Sequence, residues 1–149
     1  MNQMEQKLND TSLKLFVTLS KAYQSVMERA EADIKSRGLN FTDFAVLELL
    51  YHKGQQPLQK IGKKILITSG SITYIVNKLE KLGYIKRNPC ESDRRITYAS
   101  IDQKGEELLD EIFPEHRKMI QDIMSALSEE EKEMATQLLK KLGTSIRKI

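Results

Sequence analysis

Two arginines, Arg94 and Arg95, stand side by side in the stretch Asn88-Pro-Cys-Glu-Ser-Asp-Arg-Arg-Ile-Thr-Tyr-Ala-Ser100. Asp93 precedes them, and Cys90, the only cysteine of the chain, lies three residues further back. The stretch opens with turn-forming residues and closes with β-prone ones, so it puts a pair of guanidinium groups at a loop tip. Arginine at such a tip suits phosphate or the narrow, electronegative minor groove of DNA. A carboxylate two residues away can hold one guanidinium in place through a two-point pair. A second polar set runs along one predicted helix: Ser69, Ser71, Thr73, Tyr74, Asn77 and Lys78, opposite the apolar stripe Ile72, Ile75, Val76, Leu79 and Leu82. Thr73 and Asn77 share a face, as do Tyr74 and Lys78. Leading hydroxyls allow close backbone approach, the free N–H groups of a helix N-terminus attract phosphate, and an asparagine amide can pair with adenine. The plainer alternatives are a solvated loop and an ordinary amphipathic helix.

Other chemistries find little support. His52 and His116 are the only histidines, and neither sits in a nucleophile or metal-ligand motif. There is no glycine-rich phosphate loop, so the pattern points to no enzyme, metal or cofactor. Cys90 is a candidate redox or electrophile switch. Lys86, Arg87, Arg94 and Arg95 favour its thiolate, while Glu91 and Asp93 oppose it. The balance favours an ordinary small turn residue.

The elements that must position these residues follow from the rest of the chain. Its 149 residues amount to one domain with a core of its own. A lone cysteine fits a reducing cytosol, the polar N-terminus is no signal peptide, and no apolar run reaches membrane-span length, so a cytoplasmic protein is expected. Net charge is +3, unevenly placed: residues 55–99 carry +6 and the remainder −3. A basic middle suits a polyanionic partner. Helical spacing predicts a first helix from Leu8 to about Arg37, stopped by Gly38. A second starts at Asn40 and stops at Gly54, burying Phe44, Val46, Leu47 and Leu50. Pro57 opens a third, with Leu58, Ile61, Ile65 and Leu66 inward. Thr68 or Ser69 caps the fourth, and Gly83 ends it. Residues 84–87 and 96–99 form a hairpin. Asp102 caps a fifth helix reaching Leu127, kinked at Pro114. The capping box Ser128-Glu-Glu-Glu131 starts a sixth.

Three helices and a hairpin in this order make a winged helix-turn-helix, whose second motif helix enters the major groove. The chain resembles the MarR (multiple antibiotic resistance regulator) family of bacterial winged-helix transcription factors. The resemblance rests on Leu39-Asn-Phe-Thr-Asp-Phe-Ala-Val-Leu47, Ser71-Ile-Thr-Tyr74, Leu79-Glu-Lys-Leu-Gly-Tyr-Ile-Lys-Arg87, Asp93-Arg-Arg95 and Ser100-Ile-Asp-Gln-Lys-Gly105. It extends over roughly residues 8 to 145. The family often has Arg where this chain has Tyr74. It implies a mainly α fold with a small β-hairpin: a DNA-binding lobe over about 39–101, with dimerisation helices over about 5–38 and 102–149. It further implies a homodimer on a palindromic operator of double-stranded DNA, most often a repressor released by a small aromatic, phenolic or stress-related effector. Phe16, Tyr23, His52 and His116 are the expected approaches to an effector pocket. The contrasting possibility is a winged-helix module that binds protein and never DNA.

Overall fold

A computed structural model of the chain describes residues 3, 9–65 and 69–147, without the side chains of Ser69 and Gly70. Leu8, Leu66 and Thr68, expected to take part in helix starts and packing, lie outside the described residues. The chain forms two compact units, Met1–His116 and Arg117–Ile149. The elements are α1 (Thr11–Ser36), α2 (Phe41–Lys53), β1 (Gln56–Pro57), α3 (Leu58–Lys64), α4 (Ser69–Lys81), β2 (Ile85–Pro89), β3 (Thr97–Ile101), α5 (Gln103–Ile123) and α6 (Glu129–Arg147).

Local chemistry accounts for the boundaries. Asp10 caps α1 by accepting from the Ser12 and Leu13 amides, and the Asn40 side chain accepts from Asp43 N at 2.7 Å to cap α2. Ser128 and Glu131 make the reciprocal capping box of α6, at 3.2 and 2.9 Å. Between α4 and the wing the chain reverses at Gly83, whose φ of 81° favours glycine. The fifth helix stops at Ile123, four residues short of the expected Leu127, and it continues through Pro114.

The first unit has one core. Ile34 of α1, Phe44, Val46, Leu47 and Leu50 of α2, Ile61 of α3, Ile72, Ile75, Val76 and Leu79 of α4, Ile85, Ala99, and Leu109 and Ile112 of α5 are all buried together. Leu82, expected in the α4 stripe, is instead exposed, because the helix has ended at Lys81 and Leu82 belongs to the turn. The sheet has three strands rather than two, in the order β1-β3-β2 and antiparallel throughout. Gln56 lies opposite Ala99, and Ala99 opposite Arg87. A two-residue strand ending in proline carries no periodicity, and Pro57 is tolerated because β1 is an edge. The hairpin strands also run two residues beyond their expected ends, to Pro89 and Ile101. Gly105 locks α5 against this sheet: a Cβ there would stand 2.3 Å from the Tyr84 carbonyl oxygen and 2.8 Å from Ile101.

Candidate nucleic-acid interface

Helix α4 buries Ile72, Ile75, Val76 and Leu79 and turns Ser71, Thr73, Tyr74 and Asn77 to solvent. Ser69 opens the helix. Its outward face is tied to the rest of the lobe at two points that the sequence pattern did not disclose. Lys78, expected to face a polyanion, places its Nζ 2.6 Å from the Asp43 carboxylate on α2 and 5.8 Å from the centre of the Tyr74 ring. Asp43 is only 5 % exposed, so its charge is balanced by Lys78 rather than by water. Beside it, the Arg87 guanidinium on β2 donates to the Asn77 side-chain oxygen and ion-pairs with Glu80 at 3.5 Å. The expected two-point contact of Asn77 with adenine needs that oxygen, one of whose two lone pairs Arg87 already takes.

The wing tip is built from its own residues. Cys90 N donates to Ile96 O at 3.0 Å, and Ile96 N to Asp93 O at 3.1 Å. Asp93 accepts from the Arg95 backbone amide at 3.0 Å and from its Nε and Nη2, both at 3.1 Å. The Arg95 pairing holds the Asp93 carboxyl below its ordinary range. Arg95 remains 90 % exposed, and Arg94 beside it is also exposed. The Cys90 thiol is half-buried, 3.2 Å from the Ser92 hydroxyl. Its pKa is lowered chiefly by that hydroxyl and then by the Ser92 and Asp93 backbone groups, against desolvation and the Asp93 charge. The neighbouring cations that the sequence put forward are not the cause.

Between α2 and α5 lies an aromatic cluster. His116 packs on Phe44 at 4.5 Å between ring centres, His52 on Phe113 at 4.5 Å, Phe113 on His116 at 6.2 Å, and Tyr51 edge-on to His52 at 5.0 Å. The Tyr51 hydroxyl donates to Asp110, which raises the tyrosine pKa. Burial lowers the His116 pKa despite the opposing pull of Glu48 and Asp33. Of the four expected pocket residues, His52 and His116 thus join one cluster, linked through Phe113. Phe16 and Tyr23 stand exposed on α1, and neither ring meets another aromatic among the described residues. Phe44, Tyr51 and Phe113 are the additions. Their only sequence signal was helical spacing, which marks them as ordinary core positions. Among the described residues no three His, Cys, Asp or Glu side chains are grouped to hold a metal, and no helix is long and apolar enough to cross a membrane.

Residues 39–97, spanning α2 to the start of β3, match the MarR family model. The HTH-type transcriptional regulator MhqR of Bacillus subtilis is 52 % identical over 94 % of this chain and 97 % of its own. The chain belongs to the MarR family. The transcriptional repressor MprA of Escherichia coli is 30 % identical over 78 % of this chain and 68 % of its own. The fold is also that of Sco3205, a MarR family regulator from Streptomyces coelicolor solved in complex with DNA. The two superpose with a TM-score of 0.81 at 18 % identity, over 97 % of this chain and 89 % of that one. This MarR protein is accordingly a winged-helix, DNA-binding transcriptional regulator, in which α4 is followed by the β2–β3 hairpin.

Proposed function

We propose that the protein is a homodimeric repressor that reads a palindromic operator with α4 and the wing and leaves it on binding a small aromatic effector. The observation that carries this reading is the division of its surface. The lobe offers an exposed polar helix face beside the Asp93-held Arg95, while α1 and α6 turn apolar rows to solvent. Leu13, Leu15, Phe16, Val17, Leu19 and Tyr23 are exposed on α1. On α6 nothing is buried, and Met134, Leu138, Leu139, Leu142 and Ile146 are exposed. Contiguous apolar rows of this kind mark an interface, and a second copy supplies the matching surface under two-fold symmetry. That symmetry puts the two α4 helices in successive major grooves, half-sites roughly 34–36 Å apart. Arg95 then reaches the adjacent minor groove and Arg94 the phosphates.

The effector reading rests on the cluster of Phe44, Tyr51, His52, Phe113 and His116, which joins α2 of the lobe to α5. An aromatic ring inserted there would move α2 against α5, and with α2 the helix that Lys78 ties to it. The test is direct. Genomic fragments recovered with the purified protein define the operator, and sedimentation should give twice the 17.2 kDa chain mass with and without it. Simple phenols, hydroxybenzoates and quinones are then screened for release. A monomer at micromolar concentration refutes the dimer. Recovery of no duplex, or affinity insensitive to salt where counterion release demands a steep fall, favours the protein-binding module instead.

A further inference from the structure

The bond between Arg87 and Asn77 bears on which base the recognition helix selects. A guanidinium has only donors, so the Asn77 atom it meets must be the carboxamide oxygen, and the amide orientation is settled by chemistry. Arg87 is itself fixed twice more, by Glu80 at 3.5 Å and by its place in β2 opposite Ala99. Asn77 remains exposed, and its amide nitrogen keeps two donors that make no hydrogen bond among the described residues.

We propose that Arg87 is a specificity-determining residue acting through Asn77: by holding the carboxamide oxygen toward β2 it leaves the two amide donors as the groups that Asn77 offers a base, so that Asn77 selects guanine over adenine. Adenine offers N7 as an acceptor and its N6 amino group as a donor, and an asparagine reads both only when its oxygen and nitrogen face the base together, which the hold of Arg87 on the oxygen opposes even though a second lone pair remains. Guanine offers two acceptors, N7 and O6, and cytosine only a donor. An amide held to present its donors is therefore matched by guanine, less well by thymine through O4, and repelled by cytosine. The wing strand in this way sets the hydrogen-bonding character of a side chain on the recognition helix. The inference rests on α4 lying in the major groove.

Selection from a randomised duplex pool tests it with the full-length protein. Asn77→Ala identifies the base pair concerned as the one position where preference is lost. Wild type should select guanine there. Arg87→Met, which frees the oxygen, should shift that position alone toward adenine by about five- to twentyfold. Asn77→Asp keeps the tie to Arg87, even strengthens it, but has no donor, so it should lose the guanine preference while melting like wild type. Adenine selected by wild type, an unchanged base with Arg87→Met, or guanine preference surviving Asn77→Asp each overturns the proposal. If wild type enriches no sequence at all, the groove reading itself fails, and this inference with it.

Discussion

Helix α4 and the wing tip are both polar and both face outward, yet they are held in opposite ways. On α4 the long polar side chains are engaged within the protein: Lys78 on the buried Asp43, Asn77 on Arg87. At the tip, Asp93 and Arg95 are two residues apart and their side chains pair with each other, and Arg95 is almost fully exposed. The helix is indexed against α2 and β2, so its exposed groups are held in a set orientation. The tip is preorganised locally, by the residues of its own loop. Base selection suits the first arrangement, and groove or phosphate grip suits the second.

The sharpest way to break the comparison is at Asp43 and Lys78. Lys78→Met leaves a carboxylate buried without its counter-charge. Breaking a fully buried pair costs about 3–5 kcal/mol. Because Lys78 is 32 % exposed, we expect somewhat less here, about 2–3 kcal/mol of stability, read by chemical denaturation. Asp43→Asn should cost less, since the ammonium it releases reaches water. The slope of log affinity against log salt should stay unchanged in both variants if Lys78 positions the helix. A fall of about one per half-site in Lys78→Met would mean that it binds phosphate after all.

At the tip the expectation reverses, with binding lost and stability kept. Arg95→Ala should weaken operator binding by about 1–2 kcal/mol per wing, the value of a direct groove contact, with an unchanged melting curve. Asp93→Ala should lose less, because it removes only the orientation of Arg95. Anisotropy titrations on one operator compare the two. Equal, wild-type affinity would make the wing a bystander, and loss of folding would make the tip as structural as α4.

The same contrast explains what the sequence could and could not disclose. Helix starts and stops were mostly legible because they depend on neighbours in the chain: Asn40 as a cap, Gly38, Gly54 and Gly83 as stops with positive φ. The pairing of Asp93 with Arg95 was legible for the same reason. The Asp10 cap was missed, because the apolar stripe carried the expected start back to Leu8. The tie between Asp43 and Lys78 crosses 35 residues and that between Asn77 and Arg87 crosses two elements. In sequence, Asp43 is indistinguishable from a helix-capping acid, and Lys78 from a solvated lysine. Strand β1 was hidden because pairing by two residues has no pattern to show. The apolar rows of α1 and α6 were visible as helical spacing, but spacing cannot say whether such a row faces its own chain or another.

Cys90 marks the boundary between the two kinds of region, at the end of β2 where the tip begins, and here the smallest effect is expected. Its lowered pKa enlarges the thiolate fraction, but a thiolate of lower basicity is also intrinsically less nucleophilic, and the two effects oppose each other. The groups that lower it are the Ser92 hydroxyl and nearby backbone amides, partners that a serine hydroxyl at position 90 would also accept. The backbone bond from Cys90 N to Ile96 O, which sets the register of the tip, does not involve the side chain. Cys90→Ser should therefore bind the operator within about twofold of wild type, as surface substitutions without a structural role do, and it should still release DNA with the natural effector. Treating both proteins with a quinone or a peroxide gives the deciding result. If wild type leaves the operator while Cys90→Ser stays bound, the thiol is the sensor, and the tip is a regulatory device as well as a grip.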